Sequence, residues 1–215
     1  MKKASLTFLF LCTGLGIFAQ SGVIQITSGV VEIKPSGVET FVAAKTGDQL
    51  KQNTIISTGF RSFAIIEVGS ALITVKPLTR LTLTEVETSA DAETMAVTLL
   101  AGRVRVDIDP PAGTQASMSV MSPMATVSVR GTSFEFDTRN LYVDDGKVNF
   151  IGRQGQTIRV GTGANSRVKV NTGVASPMEI RIAELFPPSP AGMNIIGGPV
   201  RWGVPFTIGL NFVHE

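Results

Sequence analysis

Between about Gly22 and Thr172 the chain alternates apolar and polar residues in short runs broken by turn residues, and no long helical period interrupts them. The cleanest run is Arg103-Val104-Arg105-Val106-Asp107-Ile108-Asp109. There Val104, Val106 and Ile108 point one way and the charged residues the other, as in a strand with one wet face. Similar runs centre on Ile24/Ile26, Val31/Ile33, Ala64/Ile66/Val68, Ile73/Val75, Leu81/Leu83, Val127/Val129, Phe134/Phe136, Val148/Phe150, Ile158/Val160 and Val168/Val170. Val, Ile and Thr dominate them, in keeping with β propensity. Turn signals stand between: Ser28-Gly29, Ser36-Gly37, Gly47-Asp48, Gly69-Ser70, Asp145-Gly146 and Gly155-Gln156. Asp145-Gly146, with alternating runs on both sides, is the strongest hairpin signal. The expected fold class is all-β, with sandwich, barrel and solenoid arrangements open and no strict fixed-length repeat to select a regular solenoid.

Two interruptions are informative. Glu85 to Thr94 (EVETSADAET) is acidic and reads as a solvated loop or hairpin tip. Asp109-Pro110-Pro111-Ala112-Gly113 ends a strand, because proline cannot donate to a ladder. After Thr172 the pattern changes. Ser176-Pro177-Met178-Glu179 has the form of a capping box, Ser as N-cap and Glu three residues on. It predicts one short helix with Met178, Ile182 and Leu185 on a single face. Phe186 to Gly192 reads as an extended proline-rich linker, and Val200 to Val213 as terminal strands anchored by Trp202.

The N-terminus reads MKKASLTFLFLCTGLGIFAQ. Lys2 and Lys3 precede an uncharged apolar stretch that ends at Ala19, the layout of a secretory signal peptide cleaved between Ala19 and Gln20. The uncharged run is short for a membrane span. Leu11 before Cys12 does not suit lipidation. The expectation is an exported protein, periplasmic, secreted or associated with the cell envelope. Its parts are a signal peptide over 1–19, a β domain over 20–172 and a C-terminal extension over 173–215.

Scarce residues limit the chemistry. The 215 residues include one Cys (Cys12), one His (His214), one Trp (Trp202) and one Tyr (Tyr142). A four-ligand zinc site cannot be assembled from these. A triad mechanism would have to recruit His214, next to the C-terminus. The formal net charge of +2 supplies no basic field to track nucleic acid. No catalytic, cofactor-binding or metal-binding residues are therefore assigned. Asp107 with Asp109, and Asp144 with Asp145, are the carboxylate pairs to consider. A solvated edge explains the first and a hairpin turn the second. Of Phe60 and Phe63, at least one is expected in the core.

Residues Ser122 to Phe136 read SPMATVSVRGTSFEF, followed by Leu141-Tyr142-Val143-Asp144-Asp145-Gly146-Lys147-Val148. Gly131 can take a backbone conformation closed to other residues, and Arg130 can reach across a turn to a carboxylate or carbonyl. This pattern resembles the FecR domain of the ferric-citrate regulator family. Pro123, Ala125, Val129, Arg130, Gly131, Thr132, Phe134, Asp145, Gly146 and Val148 match the family's pattern, while Ser122 and Phe136 depart from it. Thr58-Gly59 with Ser62 and Ala64, then Gly69-Ser70, Pro77, Thr79 and Leu81, then Leu100 to Val106, are similar to its upstream part.

The resemblance implies a β-rich, non-catalytic module. In the regulators of this family such a domain contacts a transporter's signalling domain across a membrane from a sigma-factor-binding segment. Here only Met1-Lys2-Lys3 precedes the apolar stretch, so the expectation is a stand-alone exported member. The function it implies is an interaction module for a protein or envelope component, with no nucleic acid, no cofactor and no stable membrane span in the mature form. The alternative is a structural or adhesive protein of the envelope.

Overall fold

The computed structural model describes residues 22–89, 92–169 and 173–185. The signal segment, Val170, the proline-rich linker, Trp202 and His214 lie outside these residues. The first strands are β1 (Gly22–Ser28), β2 (Val31–Lys34), β3 (Val42–Ala43), β4 (Gln49–Leu50), β5 (Ile55–Thr58) and β6 (Phe63–Val68). They are followed by β7 (Ala71–Val75), β8 (Arg80–Thr88), β9 (Ala92–Ala101), β10 (Val104–Ile108), β11 (Gln115–Met121) and β12 (Ala125–Arg130). The last are β13 (Ser133–Phe136), β14 (Asn140–Asp145), β15 (Lys147–Gly152), β16 (Thr157–Gly161), β17 (Asn165–Lys169) and β18 (Gly173–Ala175), before a helix α1 (Pro177–Leu185).

These strands form two nine-stranded sheets, neither of them closed. The first sheet runs β18-β17-β14-β13-β10-β7-β6-β1-β4 and the second β16-β15-β12-β11-β9-β8-β5-β2-β3. Neighbours are antiparallel except β9 and β11, which pair in parallel from Ala92↔Gln115 to Thr98↔Met121. One face of each sheet feeds a single buried cluster: Val104, Val106, Phe134 and Phe136 from the first meet Val127, Val129, Val148 and Phe150 from the second. The rings of Phe136 on β13 and Phe150 on β15 lie 5.9 Å apart at 77°, an edge-to-face contact across the two layers. The alternation in the sequence is thus the inward-facing set of a two-sheet stack.

The chain makes a hairpin within one sheet and then passes through a corner into the other. Asp145-Gly146 is such a corner and not a hairpin: β14 pairs with β13 and β17, whereas β15 pairs with β12 and β16. A glycine between two alternating runs serves either geometry, which is why the sequence suggests the hairpin. Glu85 to Thr94 is largely strand, since β8 and β9 pair as far as Thr88↔Glu93. Ile26 is exposed although Ile24 is buried, because a bulge between them changes the phase of β1. Phe60 and Phe63 are both exposed, and buried Ser62 between them faces inward instead.

The capping box forms. Ser176 N–H donates to Glu179 Oε2 at 2.7 Å, and Glu179 N–H donates to Ser176 Oγ at 3.2 Å. In this nine-residue helix the buried residue is Ile180, while Met178, Ile182 and Leu185 are exposed.

Candidate interaction surface

The two corners of the Arg-Gly-Thr segment lie side by side. Gly131, at φ +57°, carries the chain from β12 into β13, and Gly146, at φ +89°, carries it from β14 into β15. A side chain at Gly146 would collide with the Thr132 side chain, its Cβ coming within 3.1 Å of Thr132 Cβ. Thr132 is buried, and its carbonyl accepts from Ile108 N–H at 3.2 Å, which ties the corner to β10. Phe134 and Val129, on either side of the corner, enter the core, as does Ala125. Pro123 lies in the β11–β12 turn, where Ser122 Oγ accepts from Ala125 N–H at 3.0 Å and donates to Thr138 O at 3.1 Å. Ser122 therefore supplies the turn hydroxyl through which Ser and Thr hold a local backbone. Asp145 ends β14, exposed, opposite Ser133.

The upstream motif residues occupy corners too. Thr58 Oγ1 donates to Lys76 O at 2.6 Å and accepts from Thr79 N–H at 3.0 Å. Thr79 Oγ1 accepts from Arg103 N–H at 2.9 Å and donates to Arg103 O at 3.0 Å. Gly102 sits directly on Thr79, where a Cβ would stand 2.6 Å from Leu78 O. Buried hydroxyls thus satisfy backbone groups that the corners remove from the ladders.

Arg130 stands apart from this scheme. It is exposed at the end of β12, where its backbone pairs with Ser117 and its side chain has no hydrogen bond or ion pair among the described residues, so the guanidinium does not pin the turn. One step beyond the Val129↔Val148 pair it faces Lys147 across the strands, and Arg159 lies on the next strand opposite Asn149. Arg130, Lys147, Arg159, Ser117, Ser128 and Asn149 line an open groove of about 540 Å³ on the outer face of the second sheet. Like charges directly opposite each other in a sheet are destabilising unless something compensates.

The outer face of the first sheet is compensated. Arg105 is bound by Asp107 at 3.1 Å and by Asp144, and Arg103 by Glu135 at 3.1 Å and Asp137 at 3.5 Å. Arg105 holds its proton more tightly than a free guanidinium, chiefly because it donates to Asp107. This arrangement brings together one carboxylate from each pair considered from the sequence. Asp107 lies on β10, a central strand and not a solvated edge, and shares Arg105 with Asp144. Among the described residues no group of three or more His, Cys, Asp or Glu could hold a metal ion.

Sequence reasoning singled out Arg130 but not Lys147, Asn149 or Arg159. What joins them is strand register: β12, β15 and β16 become neighbours only when the chain between them has switched sheets twice.

The family model described as FecR protein matches residues 54–176, more than half of the chain. The chain belongs to the FecR family. The matched stretch of this FecR chain starts before β5 and ends at the N-cap of α1, so it includes every corner glycine from Gly59 to Gly146. Among curated proteins no relative matches. Two crystal structures of a proposed anti-sigma factor from Parabacteroides distasonis ATCC 8503 are similar to the FecR chain. One has 16% identity and a TM-score of 0.46 over 56% of this chain and 57% of that one. The other has 15% identity and a TM-score of 0.46 over 60% and 63%. The chain thus spans less than two thirds of the solved chains it matches. No helix among the described residues is long and apolar enough to cross a membrane.

Proposed function

We propose that this FecR chain is an exported, non-catalytic module that binds another protein through the cationic outer face of its second sheet. The observation that carries the reading is the opposition of Arg130 and Lys147 with no carboxylate beside them, on a face whose neighbours Ser117, Ser128 and Asn149 add hydrogen-bonding groups. Such an arrangement costs the free molecule stability and gains from an acidic partner. Arg130 is also the motif residue for which the corner geometry has no use, which suits a contact role. Ion pairing with Arg105 occupies Asp107 and Asp144 on the opposite sheet, which speaks against paired-carboxylate catalysis by those two groups.

A photo-crosslinking residue placed at Asn149 in the producing cell tests this. The expected product is a discrete adduct with a second protein, lost when Arg130 and Lys147 are both changed to Glu. No adduct at Asn149 contradicts the reading. A ladder of adducts between copies of the chain would select the alternative, an assembly role, for which β16 offers an unpaired edge among the described residues.

A further inference from the structure

Among the described residues, seven of the ten connections that switch sheets place a glycine in the left-handed region: Gly29, Gly47, Gly102, Gly113, Gly131, Gly146 and Gly163, at φ between +57° and +91°. Three do not, and of these Asn53, at φ +66° between β4 and β5, is a residue type that tolerates the region. Between β5 and β6 the residue is Arg61 at φ +54°, and between β7 and β8 it is Leu78 at φ +55°. A side chain held in this conformation carries a steric cost that glycine avoids. Leu78 does not recover the cost by packing, because it is 62% exposed.

Leu78 does not stand alone. Phe60 is 71% exposed and Val30 63% exposed. Gly59 N–H donates to Val30 O at 2.8 Å, and Leu78 N–H donates to Gly59 O at 3.2 Å, so the three corners are successive rungs at one end of the stack. Val30, Phe60 and Leu78 therefore form a short exposed apolar row, their rungs about 4.8 Å apart. Arginines flank it. The Arg61 guanidinium lies 5.3 Å from the Phe60 ring centre, and that of Arg80, two residues past Leu78, lies 5.6 Å from the ring of Phe41. Neither arginine has a carboxylate partner among the described residues.

We propose that this row inserts into the interfacial region of a lipid surface bearing anionic headgroups. Loops ordinarily stay out of lipid because their backbone polar groups would lose water without replacement. Here several of the backbone groups are already paired. Besides the two bonds between rungs, Val30 N–H donates to Ser62 Oγ at 2.8 Å, Phe60 O accepts from Ser62 Oγ at 3.0 Å, and Lys76 N–H donates to Arg103 O at 3.0 Å. Pro77 has no N–H to satisfy. Apolar side chains lead, and Arg61 and Arg80 follow at the depth of the headgroups, the division of labour of interfacial membrane anchors. The site is separate from the cationic face around Arg130.

Flotation of the exported form of the chain with vesicles tests the proposal. Vesicles of phosphatidylcholine containing phosphatidylglycerol are compared with phosphatidylcholine alone. The wild type is expected to float with the anionic vesicles. Phe60→Ser combined with Leu78→Gly should weaken this at least about tenfold. Arg61→Gln should reduce the preference for phosphatidylglycerol. Leu78→Gly alone should unfold at the same temperature as the wild type or higher, because it relieves the corner. Undiminished flotation of the double variant overturns the proposal, as does a wild type that stays with neither vesicle. A lowered unfolding temperature for Leu78→Gly also overturns it, since it would show that Leu78 serves the fold.

Discussion

Thr132 packs its side chain against Gly146, leaving no room for a Cβ between two corners that lead in opposite directions between the sheets. The contact joins the two halves of the family signature, Arg-Gly-Thr and Asp-Gly, which lie 14 residues apart in sequence. The role of Gly131, Thr132 and Gly146 is architectural. They let β13 and β14 leave the second sheet as a hairpin and β15 return to it.

Gly146→Ala should therefore be costly beyond its backbone term. Gly155 provides the control, with φ +80° and open space around its Cα. Alanine in the left-handed region costs roughly 1–2 kcal/mol, and overpacking against Thr132 adds roughly 1–3 kcal/mol. Urea unfolding is expected to show Gly146→Ala destabilised by about 3 kcal/mol and Gly155→Ala by about 1 kcal/mol. Equal losses would remove steric contact from the explanation. Gly131→Val should also impair folding, but through φ alone, since its Cβ would meet only Pro110 at 3.9 Å; Gly131→Asn should largely be tolerated.

The same substitution should act differently at two buried threonines. Thr79 Oγ1 both donates to and accepts from the backbone of Arg103, whereas Thr132 Oγ1 has no partner among the described residues. Thr79→Val leaves the Arg103 N–H unpaired, while the Arg103 carbonyl still accepts from Lys76 N–H, and should cost roughly 1–3 kcal/mol, whereas Thr132→Val should change stability by less than about 1 kcal/mol. Unfolding midpoints of the two variants check this, and similar losses at both sites would contradict it.

Glu179 links α1 to the first sheet. Its carboxylate accepts from Lys169 Nζ at 2.6 Å and from Ser176 N–H at 2.7 Å, and these bonds hold it on the acid side of the usual carboxylate range, Lys169 contributing most. A carboxyl whose folded pKa is depressed contributes stability that is present above its unfolded pKa and lost as pH falls through the folded value. The Ser176 amide resonance should thus hold steady at neutral pH and move only on acidification below that range. In Glu179→Gln this step should disappear. An unchanged titration in the variant would show that another group governs the helix start.

Much of this fold is legible in the residues themselves. Alternation such as Val104, Val106 and Ile108 reports burial directly, because it depends on one strand alone. The capping box at Ser176 is equally local. Asp145-Gly146 is not, because hairpin and corner both place a glycine between alternating runs and differ only in which strands become neighbours. Ile26 follows the apolar pattern yet is exposed, since the bulge in β1 is a property of its pairing with β6. Arg130 is visible as a motif residue, but its opposition to Lys147 emerges only once β12 lies beside β15. Elements fixed by local spacing can be read in advance, whereas contacts fixed by register between distant segments cannot.

Within one short segment, Gly131 and Thr132 shape the corner while Arg130 is left to face outward. Urea unfolding of Arg130→Ala tests this division most directly. An unpaired, exposed arginine should be removable at a change of less than about 0.5 kcal/mol, so the midpoint should match the wild type or rise slightly as repulsion from Lys147 is relieved. A loss of about 1 kcal/mol or more would show that Arg130 holds the turn, and would contradict its assignment to contact.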